Sequence, residues 1–133
     1  HGRVMSAKRV LLIEDNEKNL KLVRDLLEVK GYRVLTATSA EEGLPLAQGD
    51  PPDLIVMDIG LPGMDGVDAL RALRADARTR AVPVIAVTAS VMQTERETIT
   101  QAGFDGYMGK PIDIFGFLRL VQTTVERFAQ RHE

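Results

Sequence analysis

The sequence predicts an α/β domain: a five-stranded parallel sheet in the order 2-1-3-4-5, with five helices on its two faces. Two observations carry this. Five short apolar runs recur along 133 residues, and a stretch with helical spacing follows each one. Three of the runs, "VLLI", "DLIVM" and "PVIAV", are almost wholly apolar and rich in β-branched residues, which suits strands covered on both faces. An alternating βα rhythm argues for a parallel sheet, and right-handed crossovers leave few alternatives to a doubly wound strand order.

Element by element, the strands are expected at Arg9–Glu14, Arg33–Ala37, Asp53–Asp58, Val82–Thr88 and Phe104–Met108. In the first helix Leu20, Val23, Leu26 and Leu27 share one face, and Gly31 offers a left-handed stop. The second opens with Ser39-Ala40-Glu41-Glu42, a capping-box pattern. Pro45 lies inside it and predicts a short, kinked or distorted helix, because proline removes an intrahelical hydrogen bond. The third helix is expected from about Val67 to Ala75, and the fourth from about Ser90 to Ala102 before Gly103. The fifth begins at Asp113 and carries Phe117, Leu118, Val121, Val125 and Phe128.

Composition narrows the chemistry. With no cysteine, disulfides, thiol catalysis and zinc–thiolate sites are excluded. The two histidines, His1 and His132, lie at the extreme ends, so no internal imidazole is available as base, ligand or phosphoacceptor. A formal charge of -2 argues against general affinity for nucleic acid. No apolar run approaches the ~20 residues that cross a bilayer, so no membrane partner is expected and a cytoplasmic location is the default. Residues His1 to Val4 precede Met5 and are set aside as a remnant outside the domain, which is read as 5–133.

Ligands of open α/β sheets bind beyond the carboxyl ends of the strands. There the first run ends in Glu14-Asp15, the third in Asp58 and the fourth in Thr88, and the fifth leads to Lys110. Three carboxylates in one pocket repel one another, and a single lysine does not balance them. A hard divalent ion would; Mg2+ favours a few carboxylates together with water and phosphate oxygens. The all-oxygen donor set points away from zinc and copper. A threonine hydroxyl and a lysine ammonium suit two phosphoryl oxygens, leaving Asp58 as a nucleophile that forms an aspartyl-phosphate. Taken alone, a strand-terminal Asp is more often a turn or cap residue. The conjunction at four strand ends outweighs that bland alternative.

These residues sit in four motifs, "LLIEDN", "PDLIVMDIGLPGMDG", "VPVIAVTA" and "GYMGKPI". Through them the chain resembles the receiver domain of bacterial two-component response regulators, of the CheY type, from Lys8 to about Phe128. The text from Asn16 to Gly31 and the "GKPI" segment look most like single-domain regulators of the DivK kind. The resemblance implies that Asp58 is the phosphoacceptor, served by a histidine kinase or phosphotransfer protein. It implies Mg2+, with Mn2+ as a substitute, held by Asp15, by Glu14 through water, by Asp58 and by the main-chain carbonyl of Gly60. Thr88 and Lys110 would bind phosphoryl oxygens, the Lys110–Pro111 bond would be cis, and Thr88 with Tyr107 would form the switch. Gly60 and Ser90 depart from commoner family choices and imply an open site.

The chain ends about twenty residues after Lys110, so output is expected through protein binding. In the family the reporting surface is the fourth helix, fifth strand and fifth helix; here that helix pair carries Val91, Met92, Ile99, Ile114 and Phe115, most of which read as core. Arg71, Arg74, Arg78 and Arg80 form a basic run whose commoner explanation is a solvated face. Three other classes fit the residues less well. A hydrolase with an aspartyl-phosphate intermediate would want a further acid or base where Gly60 stands. A nucleotide- or flavin-binding domain would want glycines where the first strand ends in acids. A degenerate scaffold would not keep all five polar groups.

Overall fold

The computed structural model describes residues 8–59, 66–89 and 93–131. Among them strand and helix alternate: β1 Arg9–Ile13, α1 Glu17–Val29, β2 Arg33–Ala37, α2 Ala40–Gly49, β3 Leu54–Asp58, α3 Gly66–Ala75, β4 Val84–Thr88, α4 Gln93–Ala102, β5 Gly106–Gly109 and α5 Ile114–Arg131. The sheet is parallel throughout, in the order β2-β1-β3-β4-β5. The expected strands are all present: β2 has its expected bounds, and the other four differ from theirs by one or two residues at one end or both.

Period-two alternation divides the apolar side chains between two cores. Leu11, Ile13, Ile55, Met57 and Ala86 face a cluster completed by α2, α3 and Ile99 of α4. Val10, Leu12, Leu54, Val56 and Ile85 face Val23 and Leu27 of α1 and Phe117 and Val121 of α5. The central strands β3 and β4 are buried at every position, whereas β5 is half-buried along its length.

The helix boundaries follow local chemistry. Asn16 caps α1 by accepting from the Asn19 amide at 3.0 Å, and Gly31 leaves the helix at φ 93°, a region open to glycine. Ser39 Oγ accepts from the Glu42 amide at 3.1 Å, while Glu42 reaches back to the Thr38 amide at 3.0 Å, one residue before the cap. Asp113 takes the Gly116 amide at 3.1 Å and so caps α5. Gly103, with φ 104°, ends α4. The expected start of α4 at Ser90, with Val91 and Met92, lies outside the described residues.

The second helix continues through Pro45 as one ten-residue element, shorter than the thirteen residues of α1 and the eighteen of α5. Pro45 is on the exposed face, where water can serve a carbonyl that loses its intrahelical donor. One expectation is corrected: the basic run is not wholly solvated. Arg74 is half-buried and donates to the Val82 carbonyl at 2.6 Å, to the Arg80 carbonyl at 3.0 Å and to Asp105 Oδ2 at 2.9 Å. The same Asp105 oxygen accepts from the Val84 amide at 2.8 Å. One guanidinium thus ties the end of α3 to the entries of β4 and β5, a bonding pattern that suits its planar fork of donors.

Candidate functional site

The backbone ladder continues one residue past several strand ends and so aims the polar side chains. The Glu14 amide donates to the Ala37 carbonyl at 2.9 Å, that of Ile59 to Val87 at 3.0 Å, and that of Lys110 to Thr88 at 2.8 Å. Glu14, Asp58 and Thr88 are buried and Asp15 is exposed. Carboxylate oxygens of Glu14, Asp15 and Asp58 lie within 4.8 Å of one another. The Lys110 ammonium lies 2.7 Å from Asp58 Oδ2 and 3.3 Å from Glu14 Oε1. The Lys110–Pro111 peptide bond is cis.

The electrostatics follow from this crowding. Burial pushes the Glu14 carboxyl up to about 7, assisted by the neighbouring Asp58 and opposed by the Asn16 amide and Lys110. For Lys110 burial acts downward, yet the bond and charge of Asp58, together with Glu14, hold its pKa above the ordinary lysine value. Three acids and one lysine leave the cluster short of positive charge. The donors are all hard oxygens, with Asp15 open to solvent, so the set fits Mg2+.

In front of the cluster lies a hollow of about 660 Å³ lined by Asp15, Asp58, Thr88 and Lys110. Asn16 and Asn19 also line it. The sequence reading missed both as site residues, although their spacing before an apolar stripe is a helix-cap signal that places them at the first strand's end. Tyr107 is half-buried on β5, beside Ala86 in register, and packs against the α2–α3–α4 core. Its other side lines a shallow hollow with Arg96, Thr100 and Gln101 of α4. Of the supposed output residues, Ile99 is buried core, while Ile114 and Phe115 are exposed. Gly60 and Ser90 lie outside the described residues.

The model of the response regulator receiver domain matches residues 10–122. The chain belongs to that family. The receiver is 43% identical over 116 residues to the polar-differentiation response regulator DivK of Brucella ovis, covering 87% of this chain and 94% of that one. Among solved structures, it is similar to the receiver domain of a sensor histidine kinase from Pseudomonas aeruginosa, which holds a magnesium ion in its active site cleft. That likeness has 35% identity and a TM-score of 0.84, covering 91% of this chain and 99% of the other. The chemotaxis regulator CheY4 of Vibrio cholerae aligns with TM-score 0.84 at 25% identity over 90% of this chain and 99% of its own. That family is one of phosphoacceptor modules of two-component signalling rather than of classical enzymes. Among the described residues no helix is long and apolar enough to cross a membrane.

Proposed function

We propose that this receiver accepts a phosphoryl group on Asp58 and signals by phosphorylation-dependent protein binding. The observation that carries the reading is the part-buried Asp58–Lys110 contact of 2.7 Å inside a three-carboxylate cluster. A cation is already in place where charge would accumulate on a transferring group.

Mg2+, or Mn2+ in its place, would be held by Asp15, Asp58 and the main-chain carbonyl of Gly60, with Glu14 acting through water. When bound, the ion supplies positive charge to the acids and to the phosphoryl oxygens. An Asp58 oxygen attacks the phosphorus of a phosphohistidine on a histidine kinase or phosphotransfer protein. The O–P bond forms as the P–N bond breaks, and the bonding electrons return to the imidazole. Lys110 passes from the Asp58 carboxylate to a phosphoryl oxygen, and the Thr88 hydroxyl donates to another. Attack by water on the aspartyl-phosphate returns phosphate and free Asp58.

As Thr88 turns toward the phosphoryl group, space opens behind it and the Tyr107 ring moves inward. That motion reshapes the hollow on α4 and β5, and the face of α4, β5 and α5 reports to a downstream protein. This reading places the receiver in the cytoplasm, independent of membrane and nucleic acid.

The test is incubation with a small phosphodonor and Mg2+ followed by intact-mass analysis. One phosphoryl group is gained by the parent and none by Asp58→Asn or in EDTA. A parent chain that gains nothing from any donor overturns the reading in favour of a scaffold.

A further inference from the structure

Along the opposite flank of α5 runs a hollow of about 660 Å³ that shares no lining residue with the phosphoryl pocket. Its floor is apolar: Tyr32 just before β2, with Leu118 and Val125 of α5. Phe115 stands at one end with 79% of its surface in water. The α5 residues that line it recur at i, i+3, i+4, i+7, i+10 and i+11 from Phe115, so they form one face about 16 Å long at 1.5 Å per residue. Lys8, Lys30 and Arg119 stand on its rim, all exposed, against Glu126 as the one acid in the lining.

None of these three cations forms an ion pair among the described residues, in contrast to Arg9, Arg74, Arg78 and Lys110. The lining carries two excess positive charges on a chain whose formal charge is -2. That local reversal of sign selects an acidic occupant, and it opposes a second copy of the same face, where cation would meet cation. The apolar floor and the aromatic end favour a protein segment over a nucleic acid, which would want phosphate contacts without an acid in the lining.

We propose that the α1–β2–α5 hollow is a second docking surface, which takes an amphipathic, acidic helix of a partner protein. Its apolar stripe lies on Tyr32, Leu118 and Val125 beside Phe115, and its flanking carboxylates meet Lys8, Lys30 and Arg119. Docking here does not pass through Asp58, so the surface engages its partner whether or not the receiver is phosphorylated.

The experiment uses a fluorescein-labelled helical peptide with leucines at i, i+4, i+7 and i+11 flanked by glutamates, titrated with the whole chain by anisotropy. A matched peptide with lysines replacing the glutamates, a single-stranded oligonucleotide and anionic vesicles are run beside it. The glutamate peptide binds, and rising salt weakens it. Arg119→Glu and Phe115→Ala, both at exposed positions, each weaken binding by about tenfold or more, whereas Asp58→Asn binds like the parent. Amide shifts in nuclear magnetic resonance spectra fall on α5 and the start of β2.

Equal binding of the two peptides, or none of the glutamate peptide, overturns the proposal, as does indifference to Arg119→Glu and Phe115→Ala. Preference for the oligonucleotide or the vesicles assigns the hollow elsewhere and overturns it too. So does self-association in sedimentation that Phe115→Ala abolishes.

Discussion

Replacing Glu14 by glutamine should stabilise the metal-free receiver at alkaline pH. In the folded chain Glu14 titrates near 7 rather than at its ordinary 4.5. The folded state therefore holds a proton that the unfolded state has released across that window. Stability linked to this proton is present in full below pH 4.5 and is lost as pH rises through about 7. At about 1.4 kcal/mol per unit, the ionised carboxylate costs on the order of 3 kcal/mol at most. Glutamine keeps an oxygen for the Asn16 amide, now 3.1 Å away, but gives up the charge facing Lys110 at 3.3 Å. A net gain of about 1–3 kcal/mol at pH 8.5 is expected. Urea denaturation in EDTA at pH 6 and pH 8.5 measures it: the parent loses stability between the two, and the variant changes much less. With Mg2+ added the parent gains more than Glu14→Gln. A variant no more stable than the parent at pH 8.5 in EDTA, or one with an equal loss between the two pH values, would refute the reasoning.

Substitutions at two further positions probe the frame. Thr124 Oγ1 on α5 is fully buried and has no hydrogen-bond partner among the described residues, so Thr124→Val should raise stability by up to about 1 kcal/mol in thermal or urea melts. Arg74→Ala removes the bonds to the Val82 and Arg80 carbonyls and to Asp105 and should cost about 2–4 kcal/mol. Arg74→Lys should restore little of it, since a single ammonium cannot reproduce the fork. Urea midpoints read both.

The strands were legible because a parallel sheet buried on both faces writes unbroken apolar runs, as in Leu54 to Met57. The site was legible for a topological reason: acids, threonine and lysine separated widely in sequence stand at the same ends of neighbouring strands. What local pattern could not supply was which side of an element meets water. Pro45 faces outward from an unbroken helix, and Arg74 is structural because it faces the turn before β4. Both facts depend on packing between elements far apart in the chain. For Phe115, on the helix pair shared with α4, core is the commoner expectation. It is instead exposed and lines the other flank of its helix, a rotation that spacing alone does not settle.

The sheet itself has a stiff middle and a softer margin. β3 carries Asp58, is bonded to a neighbour on each side and is buried at every residue. β5 carries Tyr107, is bonded on one side and is half-open along its length. Opening free energy follows such differences in burial and bonding. Asp58, the proposed acceptor, therefore stands on a fixed anvil, and on that proposal a blow struck there would be taken up where the frame can yield. Under the proposed function, chemical accuracy and mechanical response would fall to different strands of one sheet, so that a change of shape at β5 would leave the proposed landing place on β3 undisturbed.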